Sequence, residues 1–136
     1  MSDSQQGPQG GVVPHLALDG AGEASAFYQR AFGATELFRM PAQDGKRLMH
    51  CHLKINGGSL MICDCFPEHG GSAWQPSKSY TLHLQVDHVE TWFSRAVEAG
   101  CTVSMAPADM FWGDRYGQVT DPFGVKWALA SPIKKG

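Results

Sequence analysis

The sequence predicts an α+β fold of two tandem strand-helix-three-strand (βαβββ) modules that together form a concave mixed sheet. The main observation is an internal repeat: residues 15–19, His-Leu-Ala-Leu-Asp, return at 83–87 as His-Leu-Gln-Val-Asp. Each copy is followed by an aromatic segment with helical spacing, at 27–32 and again at 92–97. Each half also ends with a turn sequence between two apolar runs. A repeat of this length is typical of one supersecondary unit used twice around a shared core.

The first module is predicted to span residues 12–66. Alternating residues indicate a strand at 12–19, and apolar residues at helical spacing indicate a helix at 23–32, which Gly33 ends. Asn56-Gly57-Gly58 between two apolar runs is a hairpin signal. The remaining predicted strands are 35–40, 47–55 and 59–65, with a turn at 43–46.

The second module, residues 80–131, is predicted to repeat this order after a Gly- and Pro-containing linker at 67–79. Its helix is expected at 89–99, ended by Gly100. Its strands are expected at 80–87, 102–105, 115–120 and 125–130, with a loop at 106–113. Residues 12–131 are therefore interpreted as a single domain, and the polar residues 1–11 as a disordered tail.

The composition excludes several classes of protein. With 136 residues, 43% of them hydrophobic and 18% charged, the chain is long enough for one packed domain. A net charge of -2 without a Lys/Arg run argues against a nucleic-acid partner. No run approaches the roughly 18 apolar residues of a membrane span, and no signal peptide is apparent. The four cysteines lack a disulfide or zinc spacing, so we expect reduced thiols in a cytoplasmic protein.

The alternation of residues predicts which side chains share a face of the sheet. Leu82, Leu84 and Val86 are expected under the helix, so His83 points to the opposite, concave face. The same argument places His15 on that face. With the hairpin strands included, the concave face is predicted to hold these residues: His15, His50, His52, Cys63, Thr81, His83, Gln85 and Arg115.

The placement of the residues on the hairpin strands depends on the assumed pairing register of each hairpin. A two-residue turn that pairs Asn56 with Ser59 sets Cys63 beside His52. The corresponding turn in the second module sets Ala128 beside Gly117 and Ala130 beside Arg115. A loop of three residues would flip the first strand of either hairpin to the other face.

These modules resemble the vicinal oxygen chelate superfamily, which includes glyoxalase I, bleomycin-resistance proteins, fosfomycin-resistance proteins and extradiol dioxygenases. Residues 111–117, Phe-Trp-Gly-Asp-Arg-Tyr-Gly, and 121–124, Asp-Pro-Phe-Gly, are more specifically similar to its PhnB-like branch, as are residues 27–34. The resemblance covers about residues 12–131. It implies a glyoxalase-like fold, a small-molecule ligand and a homodimer.

The resemblance also implies where a metal would bind. Metal-dependent members use one residue from each of the first, fourth, fifth and eighth strands, commonly His, Gln or Glu. The matching positions here are Val13, Cys63, Thr81 and Ala128, with His15 and His83 lying two residues beyond the first and fifth strand positions. Alanine cannot ligate, so we expect no standard metal site and no assigned cofactor.

Two interpretations of the histidines remain open. His15, His52 and His83 could hold a divalent metal ion in a different arrangement, because imidazole is a common ligand of zinc, nickel and iron. Alternatively, the histidines line a polar cavity and hydrogen-bond one another, water or an organic ligand.

The other candidates also have two interpretations each. Cys63 is either a nucleophile activated by His52 or a small buried apolar residue. Arg115 either recognises an anionic group or pairs with a nearby aspartate. Trp112 either covers an apolar ligand or packs at the module boundary.

Two functions follow as hypotheses. The first is a glyoxalase- or dioxygenase-like protein that binds a small organic molecule, with metal-assisted lyase, isomerase or oxygenase chemistry. The second is a metal-free protein of the bleomycin-resistance type that sequesters a drug or metabolite. Either would use the same predicted ligand-binding residues: His15, His50, His52, Cys63, Thr81, His83, Trp112 and Arg115.

Overall fold

The computed structural model describes residues 8, 10–71 and 73–133. Of the tail predicted at 1–11, residues 1–7 and 9 lie outside the described residues. A boundary between two compact units falls between Gln75 and Pro76. None of the helices in the described part of the chain is long and apolar enough to cross a membrane.

The first module is a four-stranded mixed sheet with one helix. Its elements are β1 (His15–Leu18), α1 (Ala21–Phe32), β2 (Thr35–Pro41), β3 (Leu48–Ile55) and β4 (Gly58–Asp64), followed by a 3-10 turn (Pro67–His69). The strand order is β1-β4-β3-β2, with β1 parallel to β4. The helix packs on the strands through the face that carries Phe27, Tyr28 and Phe32.

The second module repeats this topology, which confirms the predicted tandem βαβββ architecture. Its elements are β5 (Leu82–Gln85), α2 (Val89–Ala99), β6 (Thr102–Asp109), β7 (Asp114–Thr120) and β8 (Lys126–Pro132). The strand order is β5-β8-β7-β6, with β5 parallel to β8. The sheet therefore places β8 at its centre, between β5 and β7.

The loop predicted at 106–113 is partly wrong, because β6 continues to Asp109 and includes Pro107. Proline cannot donate a ladder hydrogen bond, yet it is tolerated on an edge strand or at a bulge. β6 is an edge strand, and its register against β7 shifts between Met105 and Ala108. Both conditions that accommodate Pro107 are therefore met.

In each module a buried polar side chain accepts hydrogen bonds from backbone N–H groups at the start of the helix. Asp64 accepts hydrogen bonds from the backbone N–H groups of Gly20 and Ala21 at the start of α1, each at 2.9 Å, and from Leu48 at 2.7 Å. Ser131 accepts one from Val89 at the start of α2, at 3.1 Å. These acceptors satisfy N–H groups that a helix start leaves without an intrahelical partner. They attach the start of α1 to β4 and the start of α2 to β8.

Candidate functional site

The second module presents a polar and aromatic face opposite α2. The register pairs His83 with Ala128 and Gln85 with Ala130, and it pairs the same two alanines with Gln118 and Tyr116 on β7. Residues paired across neighbouring strands share a face of the sheet. We call the side that carries His83, Gln85, Tyr116 and Gln118 the histidine face of this module.

The two alanines allow residues on β5 and β7 to meet above β8. Strands separated by one strand are about 10 Å apart, but the ring centroids of His83 and Tyr116 are 6.2 Å apart, with 25° between the ring planes. Ala128 is only 1% exposed, because the larger side chains close over it. A longer side chain at Ala128 or Ala130 would occupy the space in which these rings stack.

A third ring extends the cluster toward the β6–β7 loop. Trp112 is 52% exposed and meets Tyr116 edge-on, with ring centroids 5.7 Å apart. Phe111, at 97% exposure, meets Trp112 at 5.1 Å. We call His83, Tyr116 and Trp112 the second ring cluster. It offers a partly solvent-exposed aromatic surface of the kind that stacks on planar molecules.

Hydrogen bonds hold the polar members of this face in position. His83 Nε2 lies 2.9 Å from Oε1 of Gln85, whose Nε2 donates to Oδ1 of Asp114 at 3.2 Å. Gln118 Nε2 donates to the Tyr116 hydroxyl at 2.9 Å. Both residues of the ring pair are therefore held by neighbouring amide side chains.

Arg115 does not belong to this face, so its predicted position is wrong. The prediction set Arg115 beside Ala130, but the register pairs Arg115 with Ser131. Its guanidinium instead binds Glu90 of α2 at 2.6 Å and Asp109 at 3.1 Å. These two carboxylates raise the pKa of Arg115 and neutralise the charge that an anionic ligand would need.

The error arose from the loop between β7 and β8. Thr120 pairs with Lys126, so five residues separate the strands, whereas an even-numbered turn was assumed. One extra residue moves every side chain of β7 to the opposite face. Gly117 accordingly faces α2, because a Cβ atom added there would lie 3.0 Å from the Phe93 side chain. Tyr116 and Gln118, which the sequence interpretation missed, take the places expected for Arg115 and Gly117.

The first module has a similar ring cluster on its own histidine face, the side that carries His15, Ala17, His50 and Met61. The rings of His15 and His50 meet edge-on at 6.1 Å, and Phe38 lies 5.9 Å from His50. Burial, with smaller contributions from His15 and His52, lowers the pKa of His50 and favours its neutral form. We call His15, His50 and Phe38 the first ring cluster.

The first hairpin also differs from the predicted register. Ile55 pairs with Gly58 across the Asn56-Gly57 turn, so His52 lies opposite Met61 and not beside Cys63. The correction shifts the pairing by two residues and therefore leaves each side chain on its predicted face. The strand pairings also show which residue of the first module corresponds to Ala128. Met61 is the strand partner of His15 as Ala128 is that of His83, so Met61 and not Cys63 occupies the equivalent position.

His52 and Cys63 are poorly suited to the chemistry considered for them. His52 is buried, and its Nε2 lies 2.9 Å from the Ser59 hydroxyl. Burial, followed by the neighbouring Cys65 and Asp64, raises the pKa of Cys63. A thiol that stays protonated is a weak nucleophile. Thr81 is exposed and lies one residue before the first residue of β5.

The residues do not fit the divalent metal that the resemblance suggests. The strand partners of His15 and His83 are Met61 and Ala128, and neither supplies an oxygen or nitrogen ligand. Within the described ranges 10–71 and 73–133, no group of three or more His, Cys, Asp or Glu side chains is arranged to hold a metal ion.

Cavities occur elsewhere in both modules. One of about 500 Å³ lies at the start of α2 and is lined by Arg115, Glu90 and Asp109. A second, of about 480 Å³, lies beside Arg47 and Phe66 in the first module. In both, the arginine is already paired with two carboxylates. Their volumes suit a ligand, but the charge of each arginine is already balanced by its carboxylate partners.

A third cavity, of about 310 Å³, borders the first module's histidine face. It is lined by Ala17, Cys65 and Trp74, together with Ala73 and Gln75. Burial raises the pKa of the Cys65 thiol and so favours its uncharged form in this cavity.

The paired βαβββ modules point to a known superfamily of proteins, and comparison with family models identifies it. Residues 14–129 match the model of the Glyoxalase/Bleomycin resistance protein/Dioxygenase superfamily, and the chain belongs to that superfamily. This confirms the resemblance drawn from the repeat at the level of the superfamily.

Individual proteins show the same relationship. A Mycobacterium tuberculosis (strain H37Rv) protein is 46% identical over 129 residues, which cover 91% of this chain and 75% of the relative. The crystal structure of PA1353 from Pseudomonas aeruginosa has a TM-score of 0.75 at 26% identity, covering 93% of this chain and 100% of that protein. A glyoxalase-related enzyme from Fulvimarina pelagi has a TM-score of 0.71 at 26% identity, covering 93% of each chain.

Proposed function

We propose that this protein binds a small planar organic molecule on its histidine faces, chiefly through the second ring cluster. The stacked His83 and Tyr116 rings, with Trp112 edge-on beside them, carry this proposal. A flat ligand that stacks on partly exposed aromatic rings removes their apolar surface from water, which favours binding. The polar groups of Gln85 and Gln118 at the edges of the cluster would orient such a ligand.

The first ring cluster supports the same function in the other module. Burial lowers the pKa of His50 and favours its neutral form, and Phe38 is partly exposed. His15, His50, His83 and Trp112 are therefore proposed ligand-binding residues, joined by Tyr116 and Gln118. Arg115 and Thr81 are not retained, because the first faces α2 and the second lies outside β5.

A matched pair of tryptophan variants tests the proposal. Binding of 2-methoxynaphthalene and 2-naphthol would be measured by titration calorimetry, with Trp112→Ala compared against Trp92→Ala. Trp92 lies on α2, which packs on the opposite side of the sheet. An aromatic contact worth about 0.5–1.5 kcal/mol corresponds to a 2- to 10-fold weaker affinity for Trp112→Ala. Equal effects of the two variants, or no binding of either probe, would refute the assignment.

The enzymatic alternative is that the protein is a glyoxalase- or dioxygenase-like catalyst. The structural similarity to the glyoxalase-related enzyme from Fulvimarina pelagi supports this alternative. Purified protein would be analysed for metal and assayed with a methylglyoxal–glutathione adduct and with catechol, with and without added divalent ions. A stoichiometric metal ion that is lost in His15→Ala and His83→Ala, together with turnover, would replace simple binding by metal-assisted catalysis.

The assembly and domain organisation belong to the same proposal. Membership of the superfamily supports a homodimer, and sedimentation equilibrium would measure it. We further propose that residues 12–131 form a single domain. Limited proteolysis within the linker at 67–79 would test this, because a single domain should stay associated after one cut.

A further inference from the structure

Gln85 bridges His83 and Asp114, and its two ends cannot be exchanged. A carboxylate only accepts hydrogen bonds, so the side chain of Gln85 presents its Nε2 to Asp114, at 3.2 Å. Its Oε1 therefore faces the Nε2 atom of His83, 2.9 Å away. An amide oxygen is also only an acceptor, so the proton of a neutral His83 ring lies on Nε2.

This proton position determines what the other nitrogen of His83 can do. In a neutral imidazole with a proton on Nε2, Nδ1 carries a lone pair and accepts a hydrogen bond. Within the part of the chain that the structure describes, the hydrogen bond recorded for the His83 side chain is made by Nε2. The His83 side chain is exposed and its ring stacks on Tyr116. Nδ1 is therefore an acceptor at the edge of the aromatic surface.

We propose that the second ring cluster selects planar aromatic molecules that carry a hydrogen-bond donor, such as a phenolic hydroxyl or a heteroaromatic N–H. This inference rests on the proposed binding function and specifies the chemical class of its ligand. Asp114 is the positioning residue, because it sets the orientation of Gln85 and, through it, the protonated nitrogen of His83. A net hydrogen bond of about 0.5–1.5 kcal/mol corresponds to a 2- to 10-fold preference for a donor over its methylated analogue.

The position of the proton can be measured without any ligand. Nitrogen-15 spectra of the imidazole ring at about pH 8, where an ordinary imidazole is neutral, distinguish the Nε2–H from the Nδ1–H form. We expect Nε2–H for His83 in the wild-type protein. In Asp114→Asn the new amide can donate as well as accept, so Gln85 can reverse and both forms of His83 should appear. A wild-type protein with the proton on Nδ1 would overturn the proposal.

The selectivity is measured with two matched probes, 2-naphthol and 2-methoxynaphthalene, in which a methyl ether replaces the hydroxyl donor. The wild-type protein should bind 2-naphthol more tightly by the factor given above, and Asp114→Asn should lower that ratio toward one. Asp109→Asn is the matched control, because Asp109 pairs with Arg115 and not with Gln85. It should leave the ratio unchanged.

The outcomes separate this inference from the function on which it rests. If both probes bind equally to the wild-type protein, the selectivity is refuted while the binding function stands. If neither probe binds, the binding function fails and the selectivity fails with it. An equal fall in the ratio for Asp109→Asn and Asp114→Asn would also overturn the role of Gln85.

Discussion

Asp121 should be among the most important polar residues for the stability of the second module. It is 4% exposed and lies in the five-residue loop between β7 and β8. Its Oδ1 accepts hydrogen bonds from the backbone N–H groups of Phe123 and Val125 at 2.8 and 3.0 Å, and its Oδ2 accepts one from the Trp127 indole at 2.9 Å. The same loop sets the register that brings Tyr116 onto the histidine face.

The size of the effect follows from burial. Asp121→Ala removes the acceptor of three N–H groups, and two of the bonds, those to Val125 and Trp127, are buried. Hydrogen bonds to a charged group contribute about 1.5–3 kcal/mol each. We therefore expect a loss of about 3–6 kcal/mol in the free energy of unfolding, a large part of the 5–15 kcal/mol typical of small domains.

Asp44 provides the control because it makes a matching set of bonds on the surface. It accepts from the backbone N–H groups of Lys46 and Arg47 at 2.9 and 3.0 Å and from Nε of Arg47 at 2.7 Å. Water can replace this acceptor, so Asp44→Ala should cause a much smaller loss. Urea unfolding followed by tryptophan fluorescence measures both variants. A loss for Asp121→Ala no greater than that for Asp44→Ala would refute the reasoning.

Two further predictions concern titratable groups. Hydrogen bonds from Arg39 lower the pKa of Glu36 from 4.5 to about 2. The ionised Glu36 therefore stabilises the folded protein above the unfolded pKa, and this contribution is lost as pH falls through about 2. The difference in unfolding free energy between wild type and Glu36→Gln should thus be on the order of 1 kcal/mol at pH 6 and vanish near pH 2, and a constant difference would contradict this assignment. Burial raises the pKa of Cys51 and Cys101 to about 12, so iodoacetamide should modify them only when the protein unfolds; mass spectrometry that finds either labelled rapidly in native protein would show the burial to be wrong.

Much of the fold could be predicted from the sequence because it depends on local patterns. The repeated His-Leu segments, the helix spacing and the Asn-Gly turn identified two βαβββ modules, and α2 was predicted at its observed bounds, Val89–Ala99. The face that carries His83 could also be predicted, since alternation within one strand is a local property. Its function as part of a ligand site stays a prediction.

The candidate site was harder to predict because it depends on pairing between strands. Arg115 was assigned to the histidine face and Tyr116 was missed, both from a single error in loop length. Pro107 was taken as a loop residue, although an edge strand with a bulge accommodates it. The signal that could have corrected the register was Gly117, whose lack of a side chain suits close packing against a helix.

The sequence by itself determined the two modules, their order of elements and the apolar side of each strand, because these follow from the period of the hydrophobic residues. Only the tertiary structure decided which side chains meet. In the sequence, Ala128 stood out only because it occupies the eighth-strand position where metal-dependent members of the superfamily carry a ligand. In the folded module it is the small residue above which His83 and Tyr116 stack. That role depends on side-chain size across three strands, and no local pattern in the chain encodes it.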